Sequence, residues 1–369
     1  MSKRRNTGRS SSQVDLALEN HQLRLEKEKV LEELNTLKAE LAKRDGPVAP
    51  PLPPPIAKTF TMKHTFDNLA DMVYFQEITD GEDHFGVWWR MHIIRNANHL
   101  GFHLTCQPTS NTLEWSVETE FLLTLKPTRT FNCIQSFLHT FSNSNHGHGV
   151  DSHGSDKYLT WDEVKKDFLT SDGTLVAEVQ VTIKRTKGVY PENLRRFDVS
   201  MDDLSDVVLV VNDERFYVSK LTLAAQSPIF KASFLGAFQE SQKKEITLPG
   251  LDAADFQKYL EVIYGEDSID DSTVEGVLLV ADMFDTEIVR RKCEKFLLSY
   301  SNKSSSKKLE LSARYGLENL KNNRISRIKT VDGIEALIPN NILDMDHSNM
   351  ATVLQKTISM LKARSRPHQ

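Results

Sequence analysis

DVVLVVNDERFYVSKLTLAAQSPIFKASF, residues 206–234, is the stretch that decides the fold. Val207 to Val211 is an unbroken apolar run rich in β-branched residues, the pattern of a strand covered on both faces. Asn212-Asp213-Glu214 supplies a turn, and Arg215 to Val218 returns as the hairpin partner. Ser227-Pro228 then sets a capping hydroxyl before a proline at the first helical position, a strong helix start. Ile229, Phe230 and Phe234 form the inner face of that helix. FQESQKKEITLPGL, residues 238–251, carries a third short strand, and amphipathic helices follow. Asp252 is the expected N-cap of a helix from Ala253 to Gly265, with Phe256, Leu260, Ile263 and Tyr264 on one face and Gly265 as its stop. Ser272-Thr273-Val274-Glu275 predicts a capping box, followed by Val277, Leu278, Ala281 and Phe284 on one face. Asp285 is expected to open the next helix, with Val289, Cys293, Phe296 and Leu297 packed inward.

Upstream, from Phe60 to about Arg185, the apolar period changes to two. Val87, Trp89, Met91 and Ile93 share one face of GVWWRMHIIR. Leu113, Trp115, Val117, Thr119 and Phe121 alternate with Glu114, Ser116, Glu118 and Glu120. Leu175, Ala177, Val179, Val181 and Ile183 alternate with Glu178, Gln180, Thr182 and Lys184. One apolar and one polar face per strand, with turns such as Ser171-Asp172-Gly173, predicts an antiparallel β-sandwich.

The N-terminal segment has a third period. Leu16, Leu23, Val30 and Leu37 recur every seven residues and occupy d positions; Asn20, Lys27, Leu34 and Leu41 then fall at a. Every g position is acidic, and Glu19 and Glu33 face Arg24 and Lys38 across a parallel partner. A buried Asn at a fixes a two-stranded register. The alternative is a lone charged helix laced by i,i+4 pairs. GPVAPPLPPPI, residues 46–56, ends this helix and favours a semi-rigid polyproline spacer. At the other end, Leu309, Ala313, Leu317 and Leu320 predict one helix. Met350, Val353, Leu354, Thr357, Ile358 and Leu361 predict an amphipathic last helix. The divisions expected are a disordered basic tail (1–12), a coiled coil (13–45), a proline-rich linker (46–59), the sandwich (60–186), a linker (187–203), an α+β domain (204–300) and a helical C-terminal extension (301–369).

At 369 residues the chain has room for two or three domains, each with its own core. Its net charge of −5 argues against nucleic acid as the main partner. No apolar run reaches the roughly 20 residues a membrane helix needs, so no membrane contact is expected. Cys106 and Cys293 fall on apolar faces, which suits reduced thiols and a cytoplasmic or nuclear setting. The sequence holds no glycine-rich phosphate loop, no GxSxG elbow and no CxxC pair, so no enzyme activity and no cofactor is expected. HGHGVDSHG places His146, His148 and His153 close together, but zinc needs three or four ligands fixed by a second shell. A surface loop is the preferred reading, and a metal-regulated protein the rival.

Three features together carry a resemblance: WWRMHIIRNANHLGFHLTC, LEWSVETEF and YLTWDEVKKDFLTSDGTLVAEVQVTI in that order; the hairpin and Ser-Pro helix of residues 206–234; and FLGAFQES between that helix and the KEITL strand. The first is similar to a MATH (TRAF-C-like) domain and the others to a BTB/POZ domain, so the chain resembles the MATH-BTB family. The resemblance implies a non-enzymatic, homodimeric adaptor joining a protein substrate, held by the MATH domain, to the cullin-3 scaffold of a ubiquitin ligase, held by the BTB domain. It places Phe238 and Glu240 in a cullin-binding loop, an aromatic anchor with a carboxylate at its rim. It also places Tyr158 and Trp161 near the substrate face, where Trp161 serves the core equally well. The competing function is a scaffold for cytoskeletal or signalling complexes without a cullin.

Overall fold

The computed structural model describes residues 29, 57–73, 77–110, 112–128, 132–143, 151–235, 244–330, 334 and 347–364. The coiled-coil seam from Leu16 to Leu41, the proline-rich segment, His146, His148, Phe238 and Glu240 lie outside the described residues.

Eight strands build the expected sandwich. One sheet runs β1 (Lys58–Phe66), β8 (Leu175–Lys187), β5 (Ser116–Lys126), β6 (Cys133–Ser142); the other runs β2 (Glu77–His84), β3 (Val87–Asn96), β4 (His99–Pro108), β7 (Ser152–Thr160). Every described pairing within them is antiparallel. The period-two positions meet between the sheets: Val87, Trp89, Met91 and Ile93 are buried on one side, and Phe121, Ala177, Val179 and Val181 on the other. Leu113 departs from the expected pattern. It precedes β5 and stands 94% exposed, so the alternation begins two residues later, at half-buried Trp115. Between β7 and β8, Thr160 and Glu163 form a capping box that starts a short helical turn, Trp161–Phe168.

Past the sandwich, β9 (Val207–Val211) is the centre of a sheet ordered β10 (Glu214–Val218), β9, β11 (Glu245–Thr247), with β11 parallel to it. Its burial alternates, so only one face is fully covered where the unbroken apolar run predicts two. Asn212 and Asp213 both take positive φ, 46° and 67°, which matches the right-handed twist of the hairpin. Among the described residues five helices follow: α1 (Lys220–Gln226), α2 (Pro228–Leu235), α3 (Ala253–Ile263), α4 (Val274–Met283) and α5 (Glu287–Ser299). Ser227 caps α2 as expected, its Oγ accepting the Phe230 amide at 3.1 Å and donating to the Phe284 carbonyl at 2.5 Å. Asp252 likewise caps α3 through the Ala254 amide. The rings of Phe230, Phe256, Tyr259 and Phe284 fill the core beneath.

Two expected helix starts are corrected. Glu275 lies in the second position of α4 and turns to lysines, while Asp270 accepts the Ser272 amide that Glu275 would serve in a capping box, and the Thr273 amide beside it. Thr286, not Asp285, precedes α5, and Asp285 sits before it at φ 48°. Asp206 accepts the backbone amide of Lys220 at 2.6 Å, so its contact there is a cap-like bond to the main chain.

The C-terminal extension gives α6 (Ser305–Arg314), α7 (Glu318–Arg327) and α8 (His347–Arg364). The single helix expected through Leu309 and Leu320 is two, because Gly316 takes φ 64° and turns the chain left-handed between them. Leu311, Tyr315, Leu317 and Leu320 join the core under α3–α5. Val353 of α8 packs on Leu309 and Ile328, whereas Leu354, Ile358 and Leu361 are exposed.

Candidate interaction surfaces

In the turn before β9 and at the start of α1, three apolar side chains face solvent. Val199, Leu204 and Leu221 are each more than two-thirds exposed, and the Asp206–Lys220 bond holds the ends carrying Leu204 and Leu221 together. Leu221 borders a cleft of about 380 Å³ lined also by Ala224, Ala225, Gln226, Ser227, Pro228 and Lys231. Exposed aliphatic side chains, one of them bordering a cleft, are a feature of protein-binding patches. Phe234, the last described ring of α2, is buried. The chain resumes at Lys244, whose carbonyl accepts the Val208 amide at 2.8 Å. The segment bearing Phe238 and Glu240 therefore connects the end of α2 to the edge of the β9 sheet.

The second surface lies where β6 and β7, the outer strands of the two sheets, run alongside each other. Among the described pairings, β6 bonds only to β5 and β7 only to β4. Side chains bridge the gap: Gln135 Nε2 donates to the Tyr158 carbonyl at 3.3 Å, and His139 Nε2 lies 3.1 Å from Asp151 Oδ1. The His139 and His153 rings stack at 4.1 Å, and Phe137 stands edge-on to His153 at 5.5 Å. Burial and the neighbouring His139 ring push the His153 imidazole below its ordinary pKa. On the outward side of β6, Ile134 and Leu138 are 55% and 78% exposed. An edge strand with exposed aliphatics can accept an added strand from a partner. Among the described residues, no group of three or more His, Cys, Asp or Glu is placed to hold a metal ion.

Tyr158 and Trp161 are not on this surface. Tyr158 is 3% exposed; its ring meets Phe102 and its hydroxyl lies 2.5 Å from the Leu123 carbonyl and 2.9 Å from that of Cys133. Burial drives its phenol well above the ordinary range. Trp161 is 4% exposed beneath the Arg95 guanidinium. Both rings are packed into the sandwich. Phe137 and His139, which sequence reasoning passed over, are the half-buried groups there. The only signal was their place in FLHTF, alternating with Leu138 and Thr140.

An eight-stranded sandwich followed by a three-stranded sheet under a helical layer is the arrangement of a MATH domain followed by a BTB domain. The family model for the MATH domain matches residues 66–183, and that for the BTB/POZ domain matches residues 197–301. The chain belongs to the BTB and MATH domain-containing proteins. It is 38% identical to BTB and MATH domain-containing protein 15 of Caenorhabditis elegans over 279 residues, 74% of this chain and 98% of that protein. It is also 29% identical to BTB and MATH domain-containing protein 45 of the same organism, over 77% of this chain and 60% of that protein. A shorter match, 34% identical over 98 residues, is to Kelch-like protein 28 of Homo sapiens, covering 26% of this chain and 17% of that protein. Neither domain type is a catalytic one.

Proposed function

We propose that this chain is a non-enzymatic, homodimeric adaptor that brings a protein substrate to a cullin-3 ubiquitin ligase for ubiquitination and degradation, in the cytoplasm, the nucleus or both. The observation that carries this reading is the union of a MATH domain and a BTB domain in one chain, with a similarity to Kelch-like proteins beside it. The substrate is held along β6 and β7 as an extended segment. Main-chain bonds to an outer strand supply affinity there, and Phe137, His139 and His153 supply a half-buried wall for selectivity. Val199, Leu204 and Leu221 supply the self-association patch, and the segment with Phe238 and Glu240 takes the scaffold. Pairing two arms, through the BTB domain and the N-terminal coiled coil, converts weak substrate contacts into avidity. Other subunits perform the ubiquitin transfer.

Binding of purified cullin-3 to the full chain tests the reading. The native chain should bind, and Phe238→Ala and Glu240→Ala should each weaken binding about tenfold or more, the effect of removing an interface hot spot. Full-strength binding by both variants would remove the site assignment. No binding by the native chain would leave the scaffold function without a cullin in its place.

A further inference from the structure

Two buried ion clusters join the MATH domain to the BTB domain. In the first, the Lys58 ammonium at the head of β1 lies 3.2 Å from Asp252 Oδ2 and 2.9 Å from Asp255 Oδ2, at the N-terminal end of α3. None of the three side chains is more than 3% exposed. Thr186 of β8 donates to Asp252 at 2.6 Å, and Tyr190 donates to Asp255 at 2.5 Å. In the second cluster, Lys303, just ahead of α6, bridges Asp83 of β2 at 2.5 Å and Glu275 of α4 at 2.7 Å. Lys307 adds Glu275 at 3.2 Å and His84 Nδ1 at 2.8 Å. Each cluster thus draws its charges from both sides of the seam.

Two further contacts agree. Gly86, in the turn between β2 and β3, has φ 74°, and a Cβ there would stand 2.6 Å from the Ser272 carbonyl oxygen of the BTB domain. Leu279 of α4 belongs to the hydrophobic core of the sandwich. Ions taken out of water are tolerated only where geometry matches charge to charge, so a small slip of one domain on the other strands a buried carboxylate. A flexible tether between separate modules has no use for such a seam. Burial works against the charge of Glu275, yet Lys307 and Lys303 outweigh it and hold its carboxyl at about 2.

We propose that the sandwich face carrying Lys58, Asp83, His84 and Gly86 is a fixed docking surface for this chain's own BTB domain and C-terminal extension, so that the two domains move as one rigid arm. The β6–β7 groove then points in a single direction from the BTB surface, a clause that rests on the adaptor reading, and the docked face is withdrawn from substrate contact.

Spin-label distances in the full chain test this. Labels go at Ser136→Cys on β6 and Lys295→Cys on α5, both exposed positions, in a Cys133→Ser background diluted with unlabelled chain. The expected result is one narrow distance distribution, broadened by Lys58→Met or by the gentler pair Asp83→Asn with Lys303→Gln. A broad distribution in the chain without those changes would overturn the proposal, as would a distribution that stays narrow in both variants. No cullin or substrate is present in this measurement, so the adaptor reading stands or falls separately, on the binding of Phe238→Ala and Glu240→Ala.

Discussion

Ser227 does two jobs with one hydroxyl: it accepts the Phe230 amide in the first turn of α2 and donates to the Phe284 carbonyl at the end of α4. Ser227→Ala removes a cap, while the Phe284 carbonyl keeps the Thr286 hydroxyl at 3.4 Å, so it should cost about 0.5–2 kcal/mol. A lower urea midpoint with an unchanged slope would show it. Asp255 behaves differently, because burial pushes its carboxyl up to about 6 despite Lys58, with Asp252 adding like charge. Its folded pKa stands above its unfolded one, so its contribution to stability is fully present below about 4 and is lost as pH rises through about 6. Unfolding free energy measured from pH 4 to 7 should carry this downward component, and Asp255→Asn should remove it. If the two pH profiles run parallel, Asp255 does not titrate in that window. Ser227 and Asp252 were legible in the sequence because a cap is a local pattern. Glu275 was misread for the same reason: its spacing imitates a capping box, and nothing local announces a lysine 28 residues away.

At the scale of elements, the strands of the sandwich and the BTB hairpin were legible because period two and the Asn-Asp turn are short-range facts. The ends of elements were less so, as Leu113 and the split between α6 and α7 show. Two glycines separate the causes. Gly316 sits at φ 64°, and a Cβ there would meet nothing within 4 Å, so Gly316→Ala should cost only its left-handed backbone, about 1–2 kcal/mol. Gly276 is helical, but a Cβ there would stand 2.1 Å from Asp255 Oδ1 and 2.9 Å from the Tyr190 hydroxyl. Gly276→Ala therefore overpacks a buried ion cluster and should cost more than Gly316→Ala, by thermal melting of the two variants side by side. The reverse order would mean that the α3–α4 contact relaxes easily. The substrate surface was the least legible element. Alternation tells which residues share a face, but not that β6 and β7 would be left bridged by side chains alone, nor that Tyr158 would turn inward.

At the scale of the whole molecule, each domain was readable in its own stretch, and their union was not. The pairs that make it, Lys58 with Asp255 and Lys303 with Asp83, are 197 and 220 residues apart and follow no periodic rule. A chain ending at Ser301 keeps the segments matched by both family models but loses Lys303 and Lys307, leaving Asp83 and Glu275 without their ammonium partners. Breaking a buried pair costs about 3–5 kcal/mol, and the same cut removes Leu311, Tyr315, Leu317 and Leu320 from the BTB core, so calorimetry should show the single cooperative transition of the full chain give way to two, with the BTB domain melting early. One transition in both chains would mean that the extension contributes nothing to the seam. The small turn at Gly86 carries the same thought into inheritance. A MATH domain received by recombination from a relative would arrive with its strands intact and still fail to seat unless it also brought a glycine at this turn, a lysine at the head of its first strand and an acid at the end of its second. In this chain the two domains are a matched pair, and a change of charge on one side of the seam calls for an answering change on the other.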